Sequence, residues 1–187
     1  MFRGLIADYV PKNAMEAADK AQMLAFIDEY PETILSRENT VAHVTASGFI
    51  LNEAKDKTLM VHHNIYNSWG WTGGHADGEE DLLGVALKEA QEETGVETFA
   101  LLKDGIAAID ITPVWAHMKN GKPVTAHLHL NVTYLLTAKD DAVLTVKPDE
   151  NSGVAWIPVD EIANYCTEPL MLPIYEKLIA RAKVANH

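Results

Sequence analysis

Three glutamates, Glu89, Glu92 and Glu93, close a stretch that opens at Gly74 and ends at Gly95 and Val96. On a helix, at about 100° per residue, they fall in a sector roughly 100° wide, the i, i+3, i+4 relation that makes side chains neighbours. A helix C-terminus carries the negative end of the macrodipole, so acidic side chains there cost about 0.3–1 kcal/mol each. Glu89 and Glu93 also repel as a like-charged i, i+4 pair. A hard divalent cation removes both penalties, and Mg²⁺ or Mn²⁺ accepts carboxylate oxygens as ligands. The chemistry expected is that of an oxygen-ligated metal. Glu79, Glu80 and Asp81 lie at the start of the same helix, where negative charge is favoured, and by themselves need no function. A solvated charge run is the plain alternative for the three later glutamates. Their placement against the dipole argues for the metal.

The helix that must carry them has an apolar stripe of Leu82, Leu83, Ala86, Leu87 and Ala90, extended by Val85, which should pack on a sheet. The glutamates begin at the edge of that stripe, which predicts a half-buried crevice where like charges repel more strongly than in water. Upstream, Asn13 and Glu16 have capping-box spacing, and Ala14, Ala17, Ala18, Ala21, Leu24 and Ala25 recur at helical intervals up to about Tyr30, before Pro31. Strands are expected at Val41–Leu51, Thr58–His63 and Trp69–Gly73, with a further short one before Asp104. Ile106–His117 and Pro123–Leu136 flank Asn120 and Gly121, a strong hairpin signal. The second arm alternates, with Leu128, Leu130, Val132 and Tyr134 on one face and His127, His129, Asn131 and Thr133 on the other. A strand near Val154–Ile157 and helices near Asp160–Asn164 and Leu172–Lys183 follow. Mixed strands with flanking helices predict an α/β fold, an α/β/α sandwich on a mixed β-sheet. The expected organisation is one domain: an N-terminal helical extension over 1–38, a core over 39–165 and a C-terminal helix within 166–187.

The stretch from Gly74 to Val96 resembles the Nudix box, G-x5-E-x7-R-E-U-x-E-E-x-G-U with U aliphatic. Gly74, Glu80, Glu89, Glu92, Glu93, Gly95 and Val96 match at the required spacing. Lys88 stands where the family has Arg, and Ala90 where a larger aliphatic is usual; Lys keeps the charge but loses the planar fork that holds two carboxylates. The segment from His43 to Phe49, the pair His62 and His63, and Gly73 to His75 extend the likeness over roughly residues 40–165. The resemblance implies a Nudix-like fold and hydrolysis of a nucleoside diphosphate linked to another group. It implies one to three Mg²⁺ or Mn²⁺ ions held by Glu92 and Glu93, with Glu89 as a third ligand. A main-chain carbonyl of Gly73 or Gly74 would complete the set, since glycine allows close approach. Glu80 or Lys88 would orient these ligands. The general base in such sites is either a box glutamate or a carboxylate on a later loop. Glu150, just before Trp156, is the loop candidate, against the reading that it is a polar loop residue.

Several other side chains are candidates for touching substrate. His127 and His129 share a strand face, so they could chelate a metal or hydrogen-bond a substrate phosphate, where an ordinary polar outer face is the alternative. His62 and His63 point to opposite faces, so at most one serves a given site. His75, directly after Gly74, is nearer the expected site than either. Trp69 and Trp71 share a face; Trp71 is the candidate for stacking on a base, against a core or edge role for both.

Composition sets limits. The chain has 187 residues, 48% of them hydrophobic, within the range of a single domain with a sizeable core. A net charge of −12 argues against nucleic acid or an anionic membrane as partner and requires a cation between the protein and a phosphoanhydride substrate. With Cys166 the only cysteine, no internal disulfide and no thiolate zinc site is expected, and the absence of a secretory or membrane-spanning run predicts a cytoplasmic protein. The N-terminal helix packs either on its own core or on a partner in a homodimer. Two functions compete with a hydrolase: a degenerate Nudix fold used as a ligand sensor or interaction module, and an isopentenyl-diphosphate isomerase. The intact glutamates speak against the first, and the lack of a matching context around Cys166 against the second.

Overall fold

The computed structural model describes residues 2–119 and 121–185. Two helices lead, α1 (Phe2–Asp8) and α2 (Ala14–Glu29), followed by strands β1 (Ala42–Leu51), β2 (Lys57–His63), β3 (Ser68–Gly70) and β4 (Thr72–His75). Helix α3 (Leu82–Thr94) carries the glutamates. Then come β5 (Ala100–Leu101), β6 (Ala108–Val114), β7 (His117–Lys119), β8 (Lys122–Val124), β9 (His127–Thr137) and β10 (Asn151–Pro158), and finally α4 (Ile162–Tyr165) and α5 (Leu172–Val184). The result is a mixed α/β fold around one eight-stranded sheet, as expected.

Strands β1 and β9 form its centre and run parallel from Ala42 opposite Leu128 to Leu51 opposite Thr137. The other pairings are antiparallel. On its outer edge β1 pairs with β2 only at Ile50 and Leu51, and with β4 over Thr45–Gly48. The sheet therefore divides along β1. Strands β3 and β10 extend it through β2, while β6 and β5 extend it through β9.

Alternation along the central strands builds two unlike faces. Val44, Ala46, Ile50, Leu130, Val132 and Tyr134 join α2 and α3 in one apolar core. On the opposite face, Phe49, Leu51 and Leu135 pack under α4 and α5. Further along that same face the positions become His43, Thr45, Ser47, His129 and Asn131, and apolar cover gives way to a cleft. β9 is thus covered on both faces from Leu130 onward, where its alternation alone indicated one polar face.

Three expectations need correction. Helix α2 forms with Asn13 as its N-cap, whose Oδ1 accepts the Glu16 N–H at 2.8 Å, but its alanine row faces solvent. The buried face is Glu16, Met23 and Ile27, because long side chains fill the space over the sheet better than methyls. The expected long hairpin is instead broken: β6 pairs with β9, and β7 with β8 as a separate ribbon, Trp115 and Ala116 leaving the main sheet. Asn120 lies outside the described residues, and Gly121 takes φ +75°. The single strand expected over Trp69–Gly73 is broken at Trp71 into β3, which pairs with β2, and β4, which pairs with β1, while Trp69 and Trp71 both pack against the second core. Helix α1 had no local signal. It and α2 place Phe2, Ile6, Met23 and Ile27 in the first core, so the N-terminal helices pack on their own sheet. Among the described residues no helix is long and apolar enough to cross a membrane.

Candidate active site

Local chemistry fixes α3. Asp81 accepts the Gly84 N–H at 3.0 Å as N-cap, and Gly95 ends the helix at φ +76°, a left-handed conformation glycine adopts without strain. The last-turn carbonyls then need partners from elsewhere. The loop before β10 and the first residue of that strand supply them: Thr145 N–H donates to the Thr94 carbonyl (2.8 Å) and Asn151 Nδ2 to the Glu93 carbonyl (3.0 Å). This docking carries Lys147 and Glu150 to the glutamates.

The three glutamates differ in setting. Glu93 is only 2% exposed, and its Oε2 accepts the Gly73 N–H at 3.0 Å. Burial pushes its carboxyl up to about 8; Glu89 and Glu150 add like-charge repulsion, and the Gly73 N–H opposes the shift. Glu89 is half-buried against β4, and burial raises its carboxyl as well, with Lys147 opposing and Glu150 and Glu92 adding repulsion. Glu92 is exposed and meets Lys147 at 2.9 Å, the hydrogen bond that chiefly lowers its carboxyl. Lys147 also lies 3.1 Å from Glu150. An ammonium thus bridges two of these carboxylates while a third, buried one is poorly compensated. An all-oxygen donor set in need of positive charge fits Mg²⁺ or Mn²⁺.

Gly74 makes the approach possible. A Cβ built there would come within 2.5 Å of the Glu89 carboxylate, and one at Gly73 within 2.4 Å of Ser47 Oγ. In Gly74→Ala the Glu89 carboxylate, the far end of a flexible side chain, gives way, so Mg²⁺ affinity should fall roughly 10–100-fold, as for displaced metal-site partners. The melting temperature should stay nearly constant. Calorimetric titration with Mg²⁺ and thermal denaturation check the two halves of that expectation.

Lys88, its side chain 69% exposed, reaches Glu92 only at 3.7 Å. Glu80 is exposed, and its carboxylate makes no hydrogen bond or ion pair among the described residues. The residue that actually grips Glu92 is Lys147, for which the sequence offered no signal beyond its place beside Pro148 to Glu150.

The cleft opens on the other face of β4, with a volume of about 520 Å³. Trp71 lines it, packed edge-on to Tyr175 at 5.6 Å and donating its backbone N–H to the Tyr175 hydroxyl at 3.3 Å. Tyr66 and Trp115, the latter 72% exposed, line it too and were not singled out from sequence. Of the adjacent histidines, His63 lines the cleft and His62 turns to Ser152 at 2.8 Å. Cys166 is buried under α5 and is not part of the lining, so the cleft offers no thiol.

Two further histidines, His75 and His129, line the cleft. His75, His127 and His129 come together, joined by His43, which sits opposite His129 across β1 and β9. Burial lowers His129 to about 2 and His75 to about 3, helped in both by neighbouring imidazoles and Arg37, so both rings are neutral. Arg37 forms a two-pronged pair with Asp77, one bond of it 2.8 Å. It acts at longer range on Glu89 and Glu150 as well as on the histidines.

The family model of the NUDIX domain matches residues 41–181. No curated protein matches the sequence significantly. Among solved structures, the Escherichia coli dihydroneopterin triphosphate pyrophosphohydrolase is similar at 14% identity and TM-score 0.55, over 73% of this chain and 94% of that one. The NUDIX domain of Shewanella oneidensis NrtR, complexed with ADP ribose, is similar at 16% identity and TM-score 0.55, over 82% and 97%. A Caenorhabditis elegans Ap4A hydrolase is similar at 17% identity and TM-score 0.51, over 73% and 95%. At these identities the likeness is one of fold.

Proposed function

Because this chain belongs to the Nudix family, we propose that it is a metal-dependent hydrolase that cleaves the phosphoanhydride bond of a nucleoside diphosphate linked to another group. The observation that carries this reading is the convergence of Glu89, Glu93, Glu92 and Glu150 around Lys147, beside the glycine strand of an aromatic-lined cleft. The similar structures are a dihydroneopterin triphosphate pyrophosphohydrolase, an Ap4A hydrolase and a domain complexed with ADP ribose, and these phosphoanhydride compounds support a substrate of this broad class.

Glu93 and Glu92, with Glu89 and the Gly74 carbonyl, would hold Mg²⁺ or Mn²⁺, which when bound neutralises phosphoryl charge and lowers the pKa of a ligated water. Glu150 takes the proton of the attacking water as general base; it is the carboxylate of the group that stands on a loop, where catalytic residues concentrate. Lys147 orients Glu92 and Glu150, and Lys88 steadies Glu92 from the solvent side. Trp71, together with Trp115 at the rim, offers aromatic surface for a base. Ser47, Thr45 and Asn131 line the floor and are tied together at 2.9 Å through Asn131 Oδ1, which leaves a rigid polar floor beneath the substrate.

The test is product release from a panel of nucleoside-diphosphate-linked compounds with Mg²⁺, with Mn²⁺ and with EDTA, using wild type and Glu92→Gln. Cleavage that needs the metal and falls at least tenfold in the variant is the expected result. No turnover of any compound, despite tight Mn²⁺ binding, would overturn the hydrolase and leave a ligand-binding module.

A further inference from the structure

We propose that His43, His75, His127 and His129 form a second metal site, separate from the glutamates and selective for a late first-row transition cation of the Zn²⁺ class. Its construction follows from topology. Thr45 lies opposite His75 and His43 opposite His129, so β4, β1 and β9 deliver four imidazoles to one sheet face. One ring nitrogen from each lies within 4.8 Å of all the others. The cluster depends on no activity at the glutamate site.

The hydrogen bonds set the tautomers. His43 Nδ1 lies 2.9 Å from the Asn39 carbonyl, and His127 Nδ1 2.8 Å from the Thr125 carbonyl. A carbonyl only accepts, so each Nδ1 carries the proton and each Nε2 presents a lone pair, the arrangement in which a backbone carbonyl orients a metal-ligating imidazole. His43 is 3% exposed, and its Nε2 is buried with no hydrogen-bond partner among the described residues. An orphaned buried acceptor on a ring packed against three other imidazoles is costly unless something positive or protic fills the space.

The spacing fits an ion. Two nitrogens bound to a tetrahedral metal at 2.0–2.1 Å stand about 3.3 Å apart, and His127 Nε2 lies 3.3 Å from His129 Nε2. A ring nitrogen of His43 and one of His75 already lie within 4.8 Å of these two, so small side-chain shifts would bring in the remaining pair while His43 Nδ1 stays on the Asn39 carbonyl. Nitrogen-only ligation discriminates sharply: imidazole suits Zn²⁺, Co²⁺, Ni²⁺ and Cu²⁺, whereas Mg²⁺ and Mn²⁺ favour oxygen. With neutral ligands the ion keeps its full charge. His75 and His129 belong to the cleft wall, so that charge faces the cavity and attracts an anionic substrate into an otherwise acidic protein.

Cobalt(II) tests this, because four-coordinate nitrogen-ligated Co²⁺ absorbs strongly in the visible. Metal-stripped protein is titrated with Co²⁺ in excess Mg²⁺, and bound metal is counted by mass spectrometry. One equivalent should bind with four-coordinate bands, be displaced by Zn²⁺ and persist in Glu93→Gln. His127→Ala, at a half-buried strand end, and His43→Ala should each lose the bands and weaken binding by about 100-fold or more, beyond the cost of a lost outer partner. Metal-free melting curves establish that each variant is folded; if His43→Ala is not, His127→Ala decides alone. No Co²⁺ uptake by wild type would overturn the site. So would uptake that survives in folded His127→Ala and disappears in Glu93→Gln, since the ion would then belong to the glutamates.

Discussion

Glu93→Gln should lower turnover by about 10²–10⁴-fold, the range for losing a catalytic acid–base or metal-binding carboxylate, while the protein becomes no less stable. The two effects separate because of where Glu93 sits. One of its oxygens accepts the Gly73 N–H; a glutamine carbonyl keeps that bond, and only the second oxygen and the charge are lost. Without metal, the charge is a burden. The folded carboxyl stands at about 8 against an ordinary 4.5, chiefly through burial and secondarily through Glu89 and Glu150. Between those values the folded state binds more protons than the unfolded one, so metal-free stability falls as pH rises from about 4.5 to about 8. Glu93→Gln removes that slope. Metal-free melting of the variant should therefore be flatter across the window and at least equal to wild type near pH 8, and Mg²⁺ should raise the wild-type melting temperature but not the variant's. A variant active within twofold of wild type would remove Glu93 from the machinery.

How far such a site can be read from sequence depends on how local its parts are. Helix α3 was legible throughout, because Asp81, the apolar stripe and Gly95 are set within one stretch of chain and each acts on its near neighbours. The alternation along β9 was plain too, although its polar face proved to be covered from Leu130 onward. What the sequence could not display are partners brought together only by the tertiary fold. Lys147 meets Glu92 from 55 residues away, Arg37 meets Asp77 from 40, and His43 finds His129 only because β1 and β9 run parallel. The histidines on β9 were compatible with chelation, with phosphate binding or with an ordinary polar outer face; the observation that favours chelation, the orphaned nitrogen of His43, belongs to another strand. Helix α2 failed differently. Its alanines have the right period, but a methyl gains little from burial and is at ease in solvent. The face was decided by Glu16, a residue no hydrophobic pattern would place inside.

That residue carries the other large effect: Arg181→Met should destabilise the fold by on the order of 3 kcal/mol, the low end for breaking a buried ion pair on one side, or roughly 6–12 °C in melting temperature for a chain of this size. Glu16 is 1% exposed. Its carboxylate receives Arg181 at 2.6 Å, Lys177 at 3.1 Å, the Tyr9 hydroxyl at 2.8 Å and the Lys12 N–H at 2.8 Å. Arg181 in turn donates to the Ala107 carbonyl at 2.7 Å, and Lys177 reaches Asp110 at 2.6 Å. One network thereby ties α2, α5 and β6 together, and β6 is the strand that backs the His129 end of β9. Burial alone would raise the Glu16 carboxyl, but these donors, Arg181 foremost, bring it down to about 2. The folded carboxyl is thus lower than its ordinary 4.5, so its stabilising contribution is complete above about 4.5 and is lost as pH falls toward about 2. Removing Arg181 leaves Lys177 shared between Glu16 and Asp110, which is why the loss should fall at the low end. Melting of wild type, Arg181→Met and Glu16→Gln at pH 7 and pH 3 measures both terms. The gap between wild type and Arg181→Met should narrow at pH 3, and Glu16→Gln should lack the corresponding part of the acid slope; equal gaps at both pH values would place the stabilisation in the packing of the Arg181 stem.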